Sequence, residues 1–145
     1  MRRQLAIIFF GLASITTAAY GLADNDIPPL FVEPGSYVSK KPDGTHPYGE
    51  SHGVVIGVDV EFSHYDGCDE VYITKPWMRP IGGGAKQPNG EQGEIRYDHC
   101  EKPGYATLYS ASIEGLTGDL TPNDDGSYTA DYSGNGGNER VWHPE

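Results

Sequence analysis

Two short segments hold most of the residues that could do chemistry. His64-Tyr65-Asp66-Gly67-Cys68-Asp69-Glu70 and Tyr97-Asp98-His99-Cys100-Glu101 each carry a histidine, a cysteine and several carboxylates. Imidazole with carboxylate can ligate Zn²⁺ or Cu²⁺, and carboxylates alone suit Ca²⁺. Cys68 and Cys100 are the only cysteines, and in an oxidising compartment two cysteines most simply form one bridge. That bridge would gather His64, Asp66 and His99 as an alternative cation site. The plainer expectation is an acidic, solvated rim without a metal. No His-x-His spacing occurs, and Asn123-Asp124-Asp125-Gly126 lacks the acid that a calcium loop needs at its last position.

Two other patterns invite a catalytic reading. Gly49-Glu50-Ser51-His52-Gly53 fits G-x-S-x-G, but a nucleophile elbow needs a strand before the serine and a helix after it. Here Pro47 precedes and a strand follows. Gly57-Val58-Asp59-Val60-Glu61 resembles the E-x-D-x-E strand of laminarinase-like glycosidases. In that family the first glutamate is the nucleophile, and this chain has Gly57 in its place. Asp59 and Glu61 would share one strand face roughly 7 Å apart, wider than the roughly 5–5.5 Å between the carboxyl groups of a retaining pair. No residue is assigned as catalytic and no cofactor is expected.

The stretch from Lys75 to Lys86 stands out differently. It concentrates Trp77, Met78, Ile81 and three basic residues in an otherwise acidic chain. Trp and Arg are the residue types that dominate interface hot spots, and long loops on β scaffolds often carry binding. Trp77, Met78 and Arg79 are therefore the candidate partner-binding residues. The competing expectation is that Trp77, Met78 and Ile81 fold back as a lid over the core.

These groups need elements to position them. Arg2-Arg3, the apolar run from Leu5 to Ala19 and small residues up to Ala23 have the layout of a secretory signal peptide over residues 1–23. Residues 24–145 then form a single exported domain, secreted, or periplasmic in a Gram-negative bacterium, with no membrane anchor after processing. Loss of Arg2 and Arg3 takes the formal charge from −11 to −13. A surface that negative repels phosphate backbones and argues against nucleic-acid binding.

The region from Asp24 onward holds 18 Gly and 11 Pro against four Ala and four Leu, a composition that favours strands and turns over helices. Ile56, Val58, Val60 and Phe62 alternate with polar residues, and Asp66-Gly67 turns the chain into a second strand over Asp69 to Thr74. Pro76 to Gly93 reads as a long loop. Ile95 and Tyr97 form a further inward stripe, as do Tyr105, Thr107, Tyr109, Ala111 and Ile113. Tyr128, Ala130 and Tyr132 form another after the Asp125-Gly126 turn. The segment from Asn123 to Tyr132 resembles the D-G-S/T-Y-x-x-x-Y hairpins of immunoglobulin-like repeats such as those of filamins and bacterial invasins, which implies a hairpin with inward tyrosines. The expected fold is all-β: a small antiparallel β-sandwich or barrel of about seven or eight short strands with one disulfide. The expected function is non-catalytic binding of another macromolecule, a protein in the first instance, in the manner of effectors, elicitors and inhibitors. A carbohydrate- or cation-binding module, and an enzyme with an unfamiliar site, are the alternatives.

Overall fold

A computed structural model describes residues 29–109 and 117–145. The expected signal peptide, and the inward positions Ala111 and Ile113, lie outside the described residues. The compact unit is Phe31–Glu145. Its described residues form nine strands: β1 (Gly35–Lys40), β2 (Val54–Asp66), β3 (Asp69–Pro80), β4 (Gln87–Pro88), β5 (Gly93–Asp98), β6 (Ala106–Tyr109), β7 (Gly118–Pro122), β8 (Tyr128–Asp131) and β9 (Glu139–Pro144). A one-turn helix, α1 (Gly49–His52), precedes β2. Every pairing is antiparallel. Eight strands follow one another around the sheet, and β1 closes it by pairing with both β2 and β9; β4 is an extra strand on β3. Of the two expected architectures the chain adopts the closed barrel.

The strongest strand pattern is the barrel's first wall. Ile56, Val58 and Val60 are buried inward, as their alternation predicts. Around the ring they meet Tyr72, Ile95, Leu108, Leu120, Ala130, Tyr132 and Trp142, all essentially inaccessible to water. Eight strands leave an interior just wide enough for side chains to fill, and this set of large aromatics and aliphatics fills it. Tight turns join the strands where the sequence shows them. At the β7–β8 turn Asp125 Oδ1 accepts the Ser127 N–H at 2.9 Å, and Gly126 takes the positive φ of 89° that the turn requires.

One end of the barrel is closed by the segment before β1. Val32 is fully buried, and its N–H donates to the Tyr72 hydroxyl at 3.1 Å. The neighbouring N–H groups of Phe31 and Glu33 donate to Glu70 at 3.0 Å and to the Tyr128 hydroxyl at 2.8 Å. The Phe31 ring stacks on Tyr97 with centroids 3.9 Å apart. At the same end the Cys68–Cys100 disulfide links the β2–β3 turn to the β5–β6 connection, with Cα atoms 5.8 Å apart.

Two local expectations are corrected. The loop expected from Pro76 begins only at Ile81, because β3 runs on to Pro80 in register with β2. Pro76 does not break that ladder. Its carbonyl accepts the Asn89 N–H at 3.0 Å on the β4 side. A strand residue's N–H and C=O face the same neighbour, so the missing donor falls away from β2. In β6 the inward residues are Ala106 and Leu108, and Tyr109 is exposed. Ala106 pairs with Leu120 and Leu108 with Ile95, small and medium residues that fit among the interior aromatics; a tyrosine can lie on either face because its hydroxyl tolerates water. In β3 the sequence alternates Val71 and Ile73 with Glu70, Tyr72 and Thr74; the second set joins the inward stripe, with Tyr72 opposite Ile95, and Val71 is fully buried as well.

Candidate functional site

Strand β3 divides the Trp77-Met78-Arg79 trio by its two-residue period. Trp77 and Arg79 point to the outer wall and Met78 to the barrel mouth. On the outer wall, lateral register brings Val38, Gly57 and Trp77 into one line. Gly57 is the bed of the indole: a Cβ there would lie 2.1 Å from Trp77 Cζ2 and 2.4 Å from the Tyr37 carbonyl oxygen. With Val38 and Val55 the ring forms a small apolar cluster outside the barrel, and Trp77 is only 3 % exposed.

Cations cover the outer face of the ring. Lys86 Nζ stands 4.3 Å from the ring centroid and Arg79 Cζ 5.1 Å, within the range of cation–π attraction. Glu145 holds both, by a 2.6 Å contact to Lys86 and an ion pair with Arg79. The two cations, Lys86 first, lower the Glu145 pKa below the ordinary glutamate value. Lys86 also approaches Asp59 at 3.9 Å, and Asp59 accepts a hydrogen bond from Ser36 Oγ. Beside the ring an open cleft of about 360 Å³ is lined by Trp77, Lys75, Lys86, Gln87, Gln92 and Asp59, among others. Trp77 Nε1 is buried and has no hydrogen-bond partner among the described residues. Arg79 and Lys86 thus meet over one tryptophan, with Lys75 on the cleft beside it.

The remaining sequence candidates are placed as follows. Asp59 and Glu61 both face outward, and Glu61 pairs with Lys75 at 2.8 Å, so each carboxylate already has a basic neighbour. Ser51 Oγ lies 2.7 Å from His52 Nδ1 on α1, an exposed contact between adjacent residues. Asp66 does not stand as a spare ligand: Arg96 binds it at 3.0 Å, together with Asp69 at 3.1 Å and Glu94 at 2.6 Å. His64 Nδ1 lies 2.9 Å from Ser63 Oγ. Among the described residues, the one group of ligand-type side chains close enough for a metal is Cys68, His99 and Cys100, within 4.8 Å of one another. Its two sulfurs are those of the disulfide, and His64 and Asp66 are not part of it.

One residue of the outer wall had no reading in the sequence. Lys86 belongs to the basic stretch already singled out, but Glu145 reaches Arg79 and Lys86 from beyond β9, and nothing in its local context marks it. Gly57 did carry a signal. A glycine inside the best strand of a chain marks close approach by another group, and here that group is the indole. No family model, no curated protein and no solved structure matches the chain.

Proposed function

We propose that the protein is an exported, non-catalytic binding barrel whose outer wall around Trp77 takes a carboxylate-bearing segment of a partner protein. The observation that carries this reading is the Arg79–Lys86 pair over Trp77, two cations gathered on one indole and held by the Glu145 carboxylate. Arg offers a planar fork matched to carboxylates. Glu145 already pairs with Arg79 and Lys86 from within the chain, so an acidic partner residue would take over the contacts that Glu145 makes. The disulfide is consistent with an oxidising compartment, and export supplies it.

Trp77 itself is a poor residue to mutate as a test, because it is packed and its loss would open the wall. The informative change is Arg79→Ala with Lys86→Ala, which removes the fork and leaves the indole. Immobilised wild-type protein, this double variant and a distant control, Tyr65→Ala, are compared for capture from the native milieu, with and without polyglutamate as competitor. The expected result is a partner held by wild type and Tyr65→Ala, lost in the double variant and released by polyglutamate. Glu145→Gln, which removes the internal competitor, should tighten capture. Identical capture by all four proteins overturns the assignment.

A further inference from the structure

The inner side of the same strand end carries a second feature. We infer that the barrel mouth beside α1 is a separate binding site, for a small neutral molecule with a mostly apolar body. A cleft of about 470 Å³ opens there, lined by Val54, Ile56, Met78, Tyr48, His52 and Asn89. That volume falls in the range of small-molecule sites, which favour the mouths of β-barrels.

Each wall is built by a definite element. Val54 and Ile56 are the first inward residues of β2, and Met78, near the end of β3, is paired with Ile56. Asn89 follows β4 and is pinned by its N–H to the Pro76 carbonyl. The far wall is α1 with the residue before it: the rings of Tyr48 and His52 meet edge to face at 5.7 Å. Gly53 ends that turn, and its carbonyl accepts the Ile81 N–H at 2.9 Å, tying α1 to the end of β3.

The lining chooses the ligand class. The chain has 21 acidic and 10 basic residues, yet none of the described lining residues bears a carboxylate, ammonium or guanidinium group. An ion entering would lose hydration with no counter-charge to replace it. A sugar would leave most of its hydroxyls unpaired against valine, isoleucine and methionine. A neutral molecule with an apolar body and one or two polar atoms meets neither penalty. The Tyr48 hydroxyl, the His52 imidazole and the Asn89 amide supply both donors and acceptors to orient it.

The test uses two fluorescent probes that differ by one charge: neutral N-phenyl-1-naphthylamine and its sulfonated analogue 8-anilinonaphthalene-1-sulfonate. The purified protein should bind the neutral probe saturably, one to one, and the sulfonate at least about tenfold more weakly. Val54→Trp, which fills the cleft from a partly exposed position, should weaken the neutral probe by about tenfold or more. Asn89→Trp serves as a second filling variant should Val54→Trp fail to fold. Arg79→Ala with Lys86→Ala should leave probe affinity unchanged, since that site is on the other face of β3. Absence of saturable binding, equal affinity for the two probes, or unchanged affinity in a folded filling variant each overturns the inference.

Discussion

Gly57→Ala puts the packing of the outer wall under direct test. The added methyl would lie 2.1 Å from Trp77 Cζ2 and 2.5 Å from Cε2, whereas carbon atoms in good contact stand about 3.5–4.0 Å apart. The ring must therefore retreat by about 1.5 Å or leave its bed. The Tyr37 carbonyl oxygen, 2.4 Å from the same methyl, belongs to the β1–β2 ladder and cannot retreat without pulling the strand. Overpacking of this kind costs about 1–3 kcal/mol, and expelling a buried aromatic adds about 2 kcal/mol. The sum, about 3–5 kcal/mol, is comparable to removing the ring altogether. For a domain of this size each kcal/mol lowers the midpoint by roughly 4 °C, so the expected fall is roughly 12–20 °C. Thermal melting followed by circular dichroism measures it. Tryptophan emission should shift to the red as Trp77 meets water, while Trp142, fully buried, keeps its environment. In a Trp77→Ala background the same Gly57→Ala change should cost about 1–2 kcal/mol less, because one of its two collisions is gone. A midpoint within about 3 °C of wild type, an unshifted emission, or strict additivity of the two substitutions would refute the stacking of Trp77 on Gly57.

Two further perturbations probe the opposite end of the barrel. Replacing Cys68 and Cys100 by Ser removes a link across 32 residues and should lower stability by about 3–4 kcal/mol in chemical denaturation. A loss under about 1 kcal/mol would mean that the Asp98 carboxylate, which accepts the Cys100 and Glu101 N–H groups, and the Phe31–Tyr97 stack hold that end by themselves. Burial raises the pKa of both Tyr37 and Tyr72 above the ordinary phenol value, helped by Tyr128 in the first case and by the hydrogen bond to Glu70 in the second. With folded pKa values above unfolded ones, their contribution is intact below about pH 10 and is lost as pH rises beyond it, by about 1.4 kcal/mol per unit for each phenol. Denaturation midpoints measured from pH 9 to 11 should show the decline starting near pH 10, and a flat profile would contradict the burial of both hydroxyls.

Strand positions were legible where one face is apolar and the other polar. Ile56, Val58 and Val60 could point only inward, and Asp125-Gly126 could only turn. Where both faces carry residues that tolerate burial, the pattern was ambiguous. The β6 sequence Tyr105 to Tyr109 offers Tyr-Thr-Tyr on one side and Ala-Leu on the other, and only the space left by Ile95 and Leu120 chooses between them. The same applies to β3. Pro76 and the glycines after Ile81 suggested a loop, and the side on which Pro76 lacks its donor settled that it was strand.

The sequence by itself determined the class of fold, the pairing of its two cysteines and the acidic charge, because alternation, composition and cysteine count are local or global sums that need no coordinates. Its sensitivity to chemistry stopped at the residue types. Trp77, Met78 and Arg79 were visible as a trio, but strand period sent them to two different faces. Glu145 reached Arg79 and Lys86 only through closure of the barrel, which brings the end of β9 close to β3. Contacts between residues separated by 59 and 66 positions depend on strand order and register, and neither is written in any one segment of the chain.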